Sequence, residues 1–161
     1  MTNLRIGHGW DRHRLVKGRP LVIGGITIDS PVGPKAHSDG DVLIHAIIDA
    51  ICGAIGHGNI GEFFPSSDPT YKNANSEKLL QLTIKVLCEE NNFTIVNIDT
   101  TVILEEPKLS PYVEDIKVNI ATICNIPYKN INVKPKTGEG IDGTGNKLAI
   151  EAHAVVLLEK N

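Results

Sequence analysis

Residues 42–54 read Val-Leu-Ile-His-Ala-Ile-Ile-Asp-Ala-Ile-Cys-Gly-Ala, and no other stretch restricts the fold as strongly. Val42, Leu43, Ala46, Ile47, Ala50, Ile51 and Ala54 recur at helical spacing and form a wide apolar face. The pattern predicts a mostly buried helix over residues 41–56. Its start is signalled by Ser38 and Asp39, with Asp41 three residues after Ser38 in a capping-box-like arrangement. His45 interrupts the apolar run one turn in, as either a satisfied core histidine or a ligand. Asp49, four residues on, shares its face and is placed to orient the imidazole through its second nitrogen.

Shorter elements surround this helix. Residues 4–9 read as a strand and 21–28 as a hairpin turning at Gly24-Gly25. Residues 29–40 are rich in Pro, Gly, Ser and Asp and read as a loop, and 57–75 as a long functional loop. A second helix is predicted over 77–91, capped by Ser76, and a strand over 94–105. Ser110 and Pro111 open a third helix to about 124, with Pro in the first helical position. Residues 130–135 read as a strand, 136–147 as a Gly-rich loop and 149–158 as a last strand. The order β-β-α-α-β-α-β-β predicts an α+β fold in one domain, residues 1–161, with helices packed on one face of a mixed sheet.

Composition excludes several classes of function. A net charge of −3 supplies no basic face for nucleic acid or an anionic membrane. No apolar run is long enough to span a bilayer. Cys52, Cys88 and Cys124 form no Cys-x-x-Cys pair and sit in apolar settings, which predicts reduced core thiols and a cytoplasm-like compartment. A strand-like segment begins at Leu4, leaving no visible leader. A bacterial cytoplasm, or a plastid-like organelle after removal of a transit peptide, is the expected location.

Several segments carry chemistry. Asp11 and His13, two apart on an extended segment, point to one side, and His45 offers a third ligand. Two imidazoles and a carboxylate suit zinc with one tetrahedral position open. Residues 36–41, Ala-His-Ser-Asp-Gly-Asp, precede the long helix, where free N–H groups and the donors of His37 and Ser38 can hold a phosphate. Residues 133–140, Val-Lys-Pro-Lys-Thr-Gly-Glu-Gly, combine the donors of Lys136 and Thr137 with the Glu139 carboxylate. They read as a solvated turn or as a magnesium site completed by substrate phosphates. His8 reads as a packing residue, His57 as an exposed one, and Trp10 as a core or pocket-wall residue.

In sequence order, these segments resemble the 2-C-methyl-D-erythritol 2,4-cyclodiphosphate synthase family. The residues that carry the resemblance are Arg5-Ile6-Gly7-His8-Gly9-Trp10-Asp11-Arg12-His13, Ile23-Gly24-Gly25, the run from Ala36-His37-Ser38-Asp39-Gly40-Asp41 through Val42-Leu43-Ile44-His45-Ala46, Ile60-Gly61-Glu62-Phe63-Phe64-Pro65, and Pro107-Lys108. The likeness runs from about residue 4 to residue 158. It implies a homotrimer with each active site between two subunits. It also implies conversion of 4-diphosphocytidyl-2-C-methyl-D-erythritol 2-phosphate, a cytidine diphosphate substrate, to the cyclic diphosphate and CMP. By this resemblance Asp11, His13 and His45 hold zinc, and Glu139 holds magnesium or manganese. His37 and Thr137 match the catalytic, transition-state-stabilising positions. Asp11, His13, His37 and Ser38 contact substrate. Asn59, Ile60, Gly61, Phe64, Pro65, Ser66, Ser67 and Asp68 line the methylerythritol phosphate pocket. Leu104, Pro107, Lys108, Leu109 and Ser110 form the cytosine pocket, and Lys136, Thr137, Gly138 and Glu139 the diphosphate site.

The chain departs from the family pattern in three places. Asn59 stands where the family has Asp, which removes a carboxylate from the expected contact to substrate hydroxyls. Lys136 and Gly138 flank Thr137 in place of threonines. Gly143 and Asn146 replace the aromatic and Arg that, in many relatives, line a cavity on the trimer axis able to hold an isoprenoid diphosphate, so weak binding of such an anion is expected. His153 is expected to face the trimer centre. Two other functions stay open on the residues alone: a zinc-dependent phosphoester hydrolase, and a drifted non-catalytic nucleotide- or metal-binding relative. Substituting His45→Ala is expected to abolish zinc binding and nearly all turnover. Near-normal activity from a zinc-free H45A protein would overturn the ligand assignment.

Overall fold

The computed structural model describes residues 2–65, 67–71 and 73–161. Its frame is a five-stranded mixed sheet in the order β4-β1-β7-β5-β6. The strands are β1 (Leu4–Lys17), β4 (Val32–Pro34), β5 (Phe93–Ile103), β6 (Ile131–Lys136) and β7 (Ala149–Lys160). Only β5 and β6 are parallel among these neighbours. A separate two-stranded ribbon pairs β2 (Leu21–Ile23) with β3 (Ile26–Ile28), turning at Gly24-Gly25 as predicted. The helices are α1 (Val42–Ile55), α2 (Ile60–Phe63), α3 (Ser76–Thr83), α4 (Val113–Cys124) and α5 (Asp142–Gly145). No helix among the described residues is long and apolar enough to cross a membrane.

Helix α1 packs against β1 and β7 on one side and against α3 on another. Enclosure on both sides explains its composition. Val42, Leu43, Ile44, Ile47, Ile48 and Ile51 are fully buried, each contributing about 1.5–3 kcal/mol of burial relative to exposure. Gly7 and Gly9 of β1 let the helix come close. A Cβ on Gly7 would lie 1.8 Å from the Ala50 carbonyl oxygen, and one on Gly9 would lie 1.9 Å from that of Ala46. Ala46 and Ala50 are one turn apart, so a small-residue stripe on α1 rests on a glycine stripe on β1.

The structure extends and corrects the predicted elements. The strand expected over 4–9 runs on to Lys17, because β7 pairs it residue for residue from Leu4 opposite Glu159 to Arg14 opposite Ala149. Residues 11–14 are all polar, so hydrophobic patterning could not show that continuation. Part of the predicted loop 29–40 is the short strand β4, paired to Leu15–Lys17 of β1. The 57–75 loop contains α2 and a 3-10 turn at Pro69–Tyr71, and the Gly-rich loop contains α5. The second helix continues from α3 through a π-helical turn at Ile84–Cys88 and a 3-10 turn at Glu89–Asn91.

The caps also differ. Asn75, not Ser76, caps α3, accepting from the Lys78 N–H. Asp41, not Ser38 or Asp39, caps α1, accepting from the Ile44 N–H at 3.0 Å. The same carboxylate accepts from Gly24 N at 2.9 Å and Gly25 N at 2.7 Å, tying the hairpin turn to the helix start. Burial pushes the Asp41 carboxyl up to about 6, against the pull of those three N–H groups. The three cysteines are buried free thiols, as expected, and burial raises their pKa to about 11 or 12.

Two glycine substitutions in the same layer should act in opposite directions. Gly9→Ala drives a methyl into the Ala46 carbonyl and is expected to destabilise by about 1–3 kcal/mol or more. Gly53→Ala, at an exposed position of α1 where the nearest neighbour, the His8 oxygen, is 3.8 Å from the new Cβ, is expected to stabilise by about 0.5–1 kcal/mol. Urea midpoints of the two variants check both signs.

Candidate active site

Gly7, Gly9, Asp11 and His13 alternate along β1 on the side facing α1, and His45 sits beside Ala46 at the point of closest approach. The three predicted ligands therefore meet. Asp11 Oδ2 lies 2.9 Å from His13 Nε2 and 3.0 Å from His45 Nδ1, and the two nitrogens are 3.3 Å apart. A tetrahedral ion with bonds of about 2.0–2.1 Å has ligand-to-ligand edges of about 3.3–3.4 Å. All three donors thus fit one small ion with modest outward relaxation of the carboxylate, and they are the cluster of metal-binding side chains found among the described residues.

The far side of His45 decides its tautomer. His45 Nε2 is 2.9 Å from Ser76 Oγ and 3.2 Å from Ser38 Oγ. Ser76 Oγ donates its own hydrogen to the Asp39 carboxylate, which also accepts from Ser76 N at 2.8 Å. Ser76 Oγ is therefore left as an acceptor, and His45 donates Nε2–H to it. That arrangement turns the Nδ1 lone pair toward Asp11, where two acceptors face each other unless a cation lies between them. The proposed role of Asp49 is corrected by the same geometry. Its carboxylate accepts from Ile60 N at 3.1 Å and holds the start of α2 instead of the imidazole.

Burial alone would raise the Asp11 pKa, but hydrogen bonds and charge from His13 and His45 override it and hold the carboxyl well below the usual range. Burial would lower the His45 pKa, but the hydrogen bond and charge of Asp11 override it and raise it above the ordinary value of 6.5. Asp11 and His45 thus each favour the charged form of the other, and a proton and a metal ion would compete for the same His45 nitrogen.

A cleft of about 360 Å³ opens over this centre. Its polar lining is His13, His45, His37, Ser38 and Lys35, and Ala36, Ile60, Gly61, Phe64, Tyr71 and Leu79 supply the rest. His37, Ser38, Ile60, Gly61 and Phe64 thus stand where the sequence predicted. Lys35, Tyr71, Ser76 and Leu79 were not singled out, because on sequence they read as loop, helix cap and ordinary core. At the start of α1 the buried Asp41 carboxylate takes the Ile44 N–H, while His37 and Ser38, the side-chain donors expected to hold a phosphate just before that helix, line the cleft. Asn59 caps α2, accepting from Gly61 N at 2.9 Å and Glu62 N at 3.2 Å, and does not line the cleft. Pro65 and Ser67 are exposed, Asp68 is partly exposed and accepts from Thr70 N, and Ser66 lies outside the described residues.

The remaining predicted residues do not line this cleft, and hydrogen bonds join the segment 104–105 to 136–138 in a second cluster. Leu104 N donates to Lys136 O at 2.9 Å, and Gly138 N donates to the Glu105 carboxylate at 2.9 Å. Thr137 Oγ1 donates to Glu139 at 2.7 Å. Lys108, Ser110, Lys136, Thr137 and Glu139 are exposed, while Leu104 and Leu109 are buried and belong to the core. Pro107 lines a separate hollow of about 410 Å³ with Leu15, Val32 and Lys147. Trp10 is neither core nor cleft wall. It is 48% exposed on the opposite face of the sheet.

The model of the YgbB family matches residues 4–159. A protein of Enterococcus faecalis named 2-C-methyl-D-erythritol 2,4-cyclodiphosphate synthase is 50% identical over 157 residues, covering 98% of this chain and 99% of that one. A solved 2C-methyl-D-erythritol-2,4-cyclodiphosphate synthase in a CDP-bound form superposes with a TM-score of 0.89 at 37% identity, over 96% of this chain and all of that one. The bifunctional IspDF of Campylobacter jejuni gives a TM-score of 0.94 at 38% identity. This chain is covered in full and spans 43% of that longer protein.

Because ion and proton compete for His45 Nδ1, zinc affinity should fall as pH is lowered, and the fall should begin above 6.5, the ordinary imidazole value. Replacing Ser38 and Ser76 by Ala together frees Nε2 and should cost about 10–100-fold in zinc affinity. Competition titration with a chromogenic chelator across pH measures both effects.

Proposed function

The chain belongs to the YgbB family, and we infer from that membership and its geometry that it is a 2-C-methyl-D-erythritol 2,4-cyclodiphosphate synthase, a lyase of isoprenoid biosynthesis. The observation that carries the reading is the convergence of Asp11, His13 and His45 beneath a cleft of suitable size. The reaction joins the substrate's 2-phosphate to its own β-phosphorus and expels CMP. The nucleophile is already an anion, so the site needs no general base. It has to bring negatively charged groups together and stabilise charge on the leaving phosphate.

Each group has a role on this reading. Asp11, His13 and His45 would hold zinc, and Glu139 magnesium or manganese. The bound ions would supply Lewis-acid polarisation of the diphosphate oxygens. Lys35 and His37 donate to phosphate oxygens along the cleft wall, Ser38 positions His45, and Ile60, Gly61 and Phe64 enclose the methylerythritol end. Thr137 donates to the diphosphate, with Lys136 adding charge and the Gly138 backbone held by Glu105. Lys108, Ser110 and the chain around Pro107 receive cytosine. Asn59 serves as a helix cap, so its difference from Asp costs no substrate contact. Gly143 and Asn146 offer no aromatic or cationic group to a prenyl diphosphate, and binding of one at the trimer axis should be weak.

The two clusters lie apart on one chain, which supports completion of each site by a neighbouring copy. The face of the sheet opposite the helices supports the same conclusion, because Leu4, Ile6 and Trp10 stand exposed there, Ile6 at 71%. We therefore propose a homotrimer assembled through this face.

Phosphorus NMR of the diphosphocytidyl substrate with protein, zinc and magnesium should show the cyclic diphosphate appearing with CMP. CMP without a cyclic product would identify a hydrolase, and no reaction would identify a non-catalytic relative. Asp11→Ala and Glu139→Ala should each be inactive as pure proteins. Mixed trimers refolded from both should recover part of the activity, since some interfaces then carry two intact halves. No recovery would place both clusters in one subunit's site.

A further inference from the structure

The sheet face left bare by the helices carries a pair of adjacent imidazoles backed by a carboxylate, pointing away from Asp11 and His13. The β1–β7 register sets Trp10 opposite His153 and His8 opposite Val155, so His8 and His153 are diagonal neighbours on that face. His8 Nε2 lies 3.3 Å from His153 Nδ1, with ring centroids 5.6 Å apart. The other nitrogen of His153, Nε2, lies 2.9 Å from Glu151 Oε1.

Glu151 fixes the tautomer. It is buried, and it accepts from Trp10 Nε1 at 2.8 Å and from Arg12 Nε at 2.8 Å. Those donors hold it as an acceptor-only carboxylate, so His153 donates Nε2–H to it. His153 Nδ1 then presents a bare lone pair toward His8 Nε2.

We propose that His8 and His153 form a second site for a late divalent transition-metal ion, with Glu151 orienting His153. The pair has the same nitrogen separation as His13 and His45, the edge length of a tetrahedral zinc ion. A ligating histidine whose second nitrogen donates to a carboxylate is the usual supporting arrangement for such ions. Imidazole donors favour copper, nickel and zinc over magnesium and calcium. The charge of Arg12 is neutralised by its pairing with Glu151 and does not oppose a cation. In the single chain both imidazoles are accessible, His153 with 38% of its side chain exposed, and because this face is the one proposed to join copies, a neighbouring chain or enclosed water can complete the coordination. The site uses no residue of the cleft and does not rest on the synthase reading.

Copper(II) is the probe, added to protein whose first centre is removed by His13→Ala and His45→Ala. The expected result is about one tightly bound ion per chain, whose paramagnetic resonance spectrum shows nitrogen splitting from two or more imidazoles. His8→Asn or His153→Asn on that background should weaken binding at least tenfold, and Glu151→Gln by about 10–100-fold, with circular dichroism unchanged. Failure of the doubly substituted protein to bind copper, or binding unaffected by both His8→Asn and His153→Asn, would overturn the proposal. The readout needs no substrate, so it stands or falls separately from the cyclisation assay.

Discussion

The contact between α1 and β1 is the constraint on which the site depends. Two glycines on the strand and two alanines on the helix let backbone meet backbone, and any larger side chain there would push the layers apart. Layer spacing sets the reach of His45, whose ring must arrive within hydrogen-bonding distance of two groups on β1. The candidate metal centre is therefore an outcome of packing, and core substitutions several residues away bear on its geometry.

Charge is handled locally. The chain is net negative, yet its substrate on the proposed reading carries several phosphates. The cleft meets that demand with a few donors and a triad able to hold an ion, while an acidic residue caps the start of α1. Asp39, Ser76 and His45 form a chain of hydrogen bonds whose direction is set by the carboxylate. That direction leaves Asp11 facing a lone pair, an arrangement stable only with a cation between them.

The sequence made much of this legible, for physical reasons. The apolar run of α1 announced its burial, and Asp11, His13 and His45 were readable from alternation on a strand plus a polar break in a core helix. The Asx and glycine signals placed the hairpin and most loops. What escaped depended on long-range pairing. The polar stretch 11–14 extends as a strand only because β7 lies beside it. Ser76 looked like a cap and is instead the acceptor for His45, a role visible only once residues 39, 45 and 76 come together. Asp49 had the right helical spacing for His45 but the nearer N–H of Ile60 claims it.

Asp41 has a consequence for how the chain acquires its shape. One buried carboxylate accepts from amides of two separate elements, the Gly24-Gly25 turn and the first turn of α1. Neither element can open without stranding the same anion away from water, so the ribbon and the helix start are locked into a single cooperative unit. The amide hydrogens of residues 24, 25 and 44 should accordingly report one common opening free energy in deuterium exchange, although the outermost pair are twenty positions apart in the chain.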